Sequence, residues 1–336
     1  MEKFETYIGT ASGVHRLGGS GAESLGLADE RISAVHAFRA ASGDTVVLAG
    51  SYGDGLFRSA DGGRSWQPIG EGLTAPAFRT IAPDPTRPGA ILAGTEPGRI
   101  FRSEDEGRSW RELDGIRAIP AHEEWYLPYS PRAGAVRNVY SPPGSDSRLL
   151  ASVEVGGLLD SPDGGLSWTI SPIGPDDDIH YVTGHPDQPN LLFAALGYAA
   201  LKSRHRDESS PRLGGVGRSR DGGKTWQVLH TDYTRAVIVP PTHHELLLAG
   251  PSPQVGRMGR IEVSRDFGDS WEPAAGRLQT PMEDMVEVFQ AAPDGSIWAV
   301  CSGGRLLRAE PEEWQWRSAL PAGLGARVEA ASFLPA

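Results

Sequence analysis

A single cysteine, Cys301, stands in a chain of 336 residues, so no intramolecular disulfide and no CxxC metal knuckle can form. No apolar run approaches the roughly 18 residues that a helical membrane span requires. The opening stretch MEKFETYIGTASG lacks the basic end and apolar centre of a secretory signal. A soluble cytoplasmic protein with no membrane attachment is expected. Positive charge is also scarce: 32 Lys and Arg against 43 Asp and Glu leave a formal charge of −11. That balance argues against binding along nucleic acid, which needs a basic stripe, although it leaves room for a local basic pocket. Long stretches with 3.6-residue apolar spacing are missing. So are a GxSxG elbow, an HExxH zinc motif and a phosphate-binding glycine loop between strand and helix.

What the chain has in quantity is turn residues, 43 Gly and 27 Pro, too many for a helical protein. It also has a repeat. RSADGGRSW at 58–66 returns as RSEDEGRSW, DSPDGGLSW, RSRDGGKTW and VSRDFGDSW. The aspartates Asp61, Asp105, Asp163, Asp221 and Asp266 stand 44, 58, 58 and 45 residues apart, which fits a unit of about 44 with two insertions. Residues 78–113 show the unit: four short apolar runs broken by Gly, Pro and Asp, the pattern of four antiparallel strands. Each Asp lies in the turn between the third and fourth strands. There a short polar side chain can bond the amides of a tight turn, glycine supplies positive φ, and the following Trp66, Trp110, Trp168, Trp226 or Trp271 packs between elements. The five acids are therefore read as structural staples.

Residues 286–319 form a further unit with a decayed turn, TYIGTASGVHRL (6–17) supplies second and third strands, and ARVEAASFLPA (326–336) is an orphan first strand. Joining the ends gives seven units: 326–336 with 4–27, 30–71, 75–115, 116–173, 176–231, 232–277 and 282–321. The expectation is an all-β, single-domain, seven-bladed β-propeller of four-stranded blades. Its C-terminal strand closes the N-terminal blade, which removes exposed sheet edges.

The S-x-D-x-G-x-[ST]-W pattern resembles the Asp-box, or BNR repeat. It occurs in sialidases, two-propeller xyloglucanases, sortilin-type receptors, photosystem II assembly factors and many bacterial sialidase-like propellers. The resemblance implies that the boxes are structural and that activity must be sought elsewhere, since one fold hosts many functions.

In such a ring the polar groups that matter lie where the central channel opens. Aligning the seven inner strands on their apolar residues puts Ser33, Arg79, Arg137, His180, Arg235, Glu287 and Glu329 at one position. Two readings stand: Arg–Glu pairs lining a wet channel, or an anion site, since guanidinium forks suit carboxylate and phosphate. Glu154 is either a ligand contact or an arginine partner, and His180 a base, a metal ligand or a packed histidine. Asp178 (in PDDDIH, with Asp176 and Asp177), Tyr233 and the 118–134 insertion with His122, Glu123, Glu124, Trp125 and Tyr126 gather near the same mouth. That insertion reads as an ordered lid, and the 203–215 insertion as a surface loop. No cofactor is expected, although Asp178, His180, Glu154 and His122 together can hold a divalent cation if they face one mouth.

The sialidase resemblance implies a carboxylate clamp from Arg79, Arg137 and Arg235 with Tyr233 and Glu154 as nucleophile pair. Two features depart from that family, seven blades rather than six and only a faint FRTIAP echo of its N-terminal signature. Glu154, His180 and Tyr233 are the candidate catalytic residues. Arg79, Arg137, Arg235, Glu287, Asp178, His122 and Glu124 are the candidate ligand contacts. The expected function is a small polar, anionic or sugar-like ligand bound at the channel mouth by a monomer, with glycoside hydrolysis as the enzymatic version. The alternative is a non-enzymatic scaffold with a protein partner.

Overall fold

Short apolar runs such as TVVLAGS, ILAGTE and LLAGPS become strands because β-branched and aliphatic residues alternate between two buried sheet faces. In the computed structural model, which describes residues 4–19, 21–125, 134–173, 178–197, 214–230, 232–321 and 324–336, they pair into seven four-stranded antiparallel sheets. The sheets form a ring, a seven-bladed β-propeller. The inner strands of blades 1 to 7 are Val328–Pro335, Ile32–Arg39, Ala77–Pro83, Ala135–Tyr140, Ile179–His185, Tyr233–Ile238 and Val286–Ala291. Each packs on the blade before and the blade after.

Blade 1 joins the two ends of the chain. Phe4–Thr10 pairs antiparallel with Val328–Pro335, Phe4 standing opposite Pro335 and Ile8 opposite Ala331. The N-terminal segment contributes three strands rather than the two expected, since Gly21–Ser24 adds the outer strand. Its sequence GAES has neither an apolar run nor a tryptophan to mark it.

The hydrophobic core lies between blades. One cluster joins Val46, Leu48 and Leu56 of blade 2 to Phe78, Ala93, Phe101 and Trp110 of blade 3, and blades 6 and 7 share another of the same kind. Close approach depends on glycine in the second strands. A Cβ at Gly50 would overlap Phe78 of the next blade, and one at Gly94 would stand 2.6 Å from Val136 Cγ1.

The five serine–aspartate turns share one geometry. In the first, Ser59 Oγ donates to Asp61 Oδ1 (2.7 Å) while accepting from Gly63 N–H (2.8 Å); Ser65 donates to Asp61 from both its amide (2.9 Å) and its hydroxyl (2.7 Å). The residue after the aspartate is left-handed in every copy (Gly62, Glu106, Gly164, Gly222 and Phe267), and its carbonyl links four of these turns to the preceding blade. Arg58 donates to Glu106 O (2.9 Å), Arg102 to Gly164 O (2.9 Å) and Arg218 to Phe267 O (3.0 Å). In blade 4, where Asp160 replaces the arginine, Asp160 holds Arg148, which donates to Gly222 O (2.7 Å). Trp110 and Trp168 are buried, whereas Trp66, Trp226 and Trp271 are half-buried.

Candidate functional site

All seven inner strands carry a β-bulge at their channel-opening end. Pairing skips one residue between Ile32 and Ala34, Phe78 and Thr80, Val136 and Asn138, Ile179 and Tyr181, and Val286 and Val288. In blade 1 it skips Glu329 between Val328 and Ala330, and in blade 6 it skips both Arg235 and Ala236 against the single Gly250 of the partner strand. The extra residues are Ser33, Arg79, Arg137, His180, Glu287, Arg235 and Glu329, the one aligned position of all seven strands. A bulge takes a residue out of the ladder and re-aims its side chain. Here that brings all seven onto the wall of a cavity of about 360 Å³, which Arg31 and Arg327 also line.

The polar groups form a belt around this cavity. Arg31 Nε donates to both oxygens of Glu329 (2.7 and 2.9 Å) and, with Arg79, lies over the Tyr52 ring at 4.5 and 4.8 Å. Arg79 approaches Glu96 at 3.7 Å. Arg137 binds Glu154 Oε2 through Nε (2.7 Å) and a second, shorter contact. Arg235 places Nη1 2.7 Å from both oxygens of Glu287 and donates from Nε to the Tyr233 hydroxyl (2.8 Å), which is hydrogen-bonded to His180 Nε2 (2.9 Å). The inner strand carrying His180 is fixed to blade 4, because Ser152 Oγ donates to His180 O (3.1 Å) and Asn138 Nδ2 to Val182 O (2.9 Å).

Each of the three ring arginines thus has a carboxylate beside it. Glu154 and Tyr233 stand behind the wall rather than on it, as does Asp178, so His180 is the candidate catalytic residue that reaches the cavity. His122 lies on the short 3₁₀ helix Pro120–Glu124, against Trp125 and 3.2 Å from Gly98 O. Glu124 is exposed, and neither residue lines the cavity. Asp176, Asp177, Tyr126 and most of the 203–215 insertion lie outside the described residues.

Electrostatics follow from burial and pairing. Burial alone would raise the Glu154 carboxyl, but Arg137, His180, Arg235 and Arg79 outweigh it and hold the group well below the usual carboxylate range. For Glu287 burial is likewise the largest influence and is overcome, chiefly by Arg235. Burial pushes the Tyr233 hydroxyl far up, with Asp178 and Glu154 adding to it against the opposing charge of Arg235. Cys301, also on the cavity wall, has its thiol pushed up to about 12 by burial, so it presents no thiolate nucleophile.

Arg31 and Arg327 were not singled out from the sequence. The signal was there, two positions before the bulge in the same alignment, where the seven residues are Arg31, Ala77, Ala135, Asp178, Tyr233, Met285 and Arg327.

No protein-family model and no curated protein matches the chain. Solved structures do. An ancestral GH74 enzyme superposes with a TM-score of 0.59 at 15% identity, covering 98% of this chain and 39% of its own. The GH74 enzyme of Niastella koreensis gives 0.63 at 16% identity, covering 99% of this chain and 52% of its own. A chain of the Mitotic Checkpoint Complex gives 0.56 at 12% identity, covering 88% and 79%. The chain therefore spans about half or less of the two GH74 enzymes, and at these identities the likeness is one of fold.

Proposed function

We propose that this propeller binds a small anionic ligand, a carboxylate or phosphate, in the cavity at its channel mouth. One observation carries the reading: in a chain of net charge −11, five arginines (Arg31, Arg79, Arg137, Arg235 and Arg327) share the cavity wall with two glutamates. Glu96, Glu154 and Asp178 stand behind the wall, so carboxylates and guanidiniums match in number overall while the wall itself is rich in guanidinium. Arginine forks held in place by neighbouring carboxylates are preorganised for planar anions.

Glycoside hydrolysis fits these residues less well. Retaining and inverting mechanisms both need one carboxyl group protonated at the start, whereas Glu154 and Glu287 are both held as carboxylates. Tyr233, kept protonated and hydrogen-bonded between Arg235 and His180, is a poor nucleophile. The sialidase-like assignment of the serine–aspartate boxes adds only that the boxes are structural.

Arg31 and Arg327 are exposed enough to replace without opening the core. Calorimetric titration with phosphate and with small di- and tricarboxylates at low salt tests the reading. Saturable binding that falls at least about tenfold, or 1.4 kcal/mol, in Arg31→Ala/Arg327→Ala is expected, with neutral oligosaccharides silent. Equal binding in the double variant, or binding of neutral sugars alone, overturns it. Silence toward every small molecule favours the protein-platform alternative.

A further inference from the structure

We propose that Glu154, Asp178 and His180 form a binding site for one divalent transition-metal ion, set into the cavity wall and independent of the anion reading. The three residues come from adjoining elements. Glu154 ends the second strand of blade 4, while Asp178 and His180 open blade 5. Each offers one donor atom, and the three atoms lie within 4.8 Å of one another. All three residues are at least nine-tenths buried, at 5%, 5% and 4% exposure.

Two further observations point to a cation. Asp178 Oδ1 lies 3.1 Å from His180 Nε2, yet their alignment is not that of a hydrogen bond, and this buried oxygen receives no donor among the described residues. A buried carboxylate oxygen left without a donor costs its full desolvation. Two atoms that bind the same ion at about 2.0–2.2 Å, by contrast, sit roughly 3–3.5 Å apart without bonding to each other. A glycine also makes room for two of the three side chains. Gly197 follows the second strand of blade 5 where blades 3 and 4 carry Glu96 and Glu154. A Cβ there would overlap Asp178 Oδ2 and lie 2.8 Å from His180 Nε2. A glutamate at that place would fill the site.

One imidazole nitrogen with two carboxylates suits zinc, manganese or ferrous iron better than magnesium or calcium, which prefer oxygen alone. The neighbouring Arg235 already faces Glu287, while Arg137 and the ion would share the Glu154 carboxylate. Arg137, bound to Glu154, serves as an outer partner that orients a ligand. The Tyr233 hydroxyl, 2.9 Å from His180 Nε2, would yield its hydrogen bond at that nitrogen to the ion. His180 lines the cavity, which gives the ion its path from solvent.

The full chain, stripped with EDTA, is titrated calorimetrically with ZnCl₂ and with MnCl₂. One equivalent should bind. Asp178→Asn and His180→Gln should each weaken binding by more than the roughly 10–100-fold typical of losing an outer partner. The set of buried His185 with Asp187 and His244 nearer the surface is the competing explanation, since His244 Nδ1 lies 2.5 Å from Asp187 Oδ2. His244→Ala should leave the affinity unchanged. If a cluster variant proves unfolded by circular dichroism, Co²⁺ bound to the wild-type chain decides through its visible spectrum, where ligand-field bands of a nitrogen–oxygen site should appear at one equivalent. Absence of saturable binding and of those bands overturns the proposal. So does loss of binding in His244→Ala with retention in Asp178→Asn. Arg31 and Arg327 take no part in this site, so failure here and failure of the anion reading are separately visible.

Discussion

At the scale of single residues, the belt is held by ion pairs, some buried and some half-buried, whose value lies in not being broken. Replacing one member leaves the other charge poorly solvated and unmatched, at a cost of up to about 3–5 kcal/mol. Arg235→Met should therefore lower stability by that order, measured by urea unfolding, and adding Glu287→Gln in the same chain should recover much of it. The same pairs set an acid limit. Glu154 and Glu287 have folded values below their ordinary 4.5, so their contribution is complete above that value and is lost as pH falls through the lower, folded one. The urea midpoint should fall between pH 5 and pH 3 in the wild type and less steeply in Arg235→Met/Glu287→Gln. Sequence alignment picks out the position these side chains occupy, because the apolar residues after it repeat in every blade. Their partners were not legible, because Glu287 meets Arg235 and His180 meets Tyr233 across blade boundaries that no spacing along the chain records.

Among elements, the turns and the glycines of the second strands decide how blades meet. Arg102, with its side chain 1% exposed, binds Asp84 at 2.6 Å and Gly164 O at 2.9 Å. Arg87 binds Glu104 at the same 2.7 Å scale but in the open, with side chains 48% and 59% exposed. Arg102→Leu should cost about 3–5 kcal/mol and Arg87→Ala no more than about 1 kcal/mol, a contrast that thermal melting can read. Within a turn, Asp61 has its carboxyl held down at about 2 by bonds from the Ser65 hydroxyl and amide. Its staple should persist in mild acid and loosen only as pH approaches that value. Hydrogen exchange of the Ser65 amide, in Asp61→Ala against wild type, checks the link. Gly50→Val should destabilise far more than a surface substitution, because Phe78 occupies the space. Strands and boxes were readable because turn chemistry punctuates them. The 3₁₀ helices Asp114–Ala118 and Pro120–Glu124 were not, since five residues are too few to show a period.

For the molecule as a whole, the joined blade is the point where the ring depends on no covalent bond. Val328–Pro335 supplies an inner strand and packs on Ile32–Arg39 as well as on Phe4–Thr10. Removing residues 326–336 should lower the melting temperature of the entire ring rather than of one part, and calorimetry should show a single shifted transition. A truncated chain that melts like the intact one would contradict this closure. Closure was legible because the two ends of the sequence complete one another. Where the charged belt would lie relative to Glu154 and Asp178 was not, because that depends on a bulge in every blade. Those bulges have a consequence for how such a molecule changes over generations. A side chain that has left the ladder is released from the demands of strand pairing. Around one opening, these positions can therefore be exchanged without shifting the strands beneath them, provided that a charged side chain is changed together with its partner.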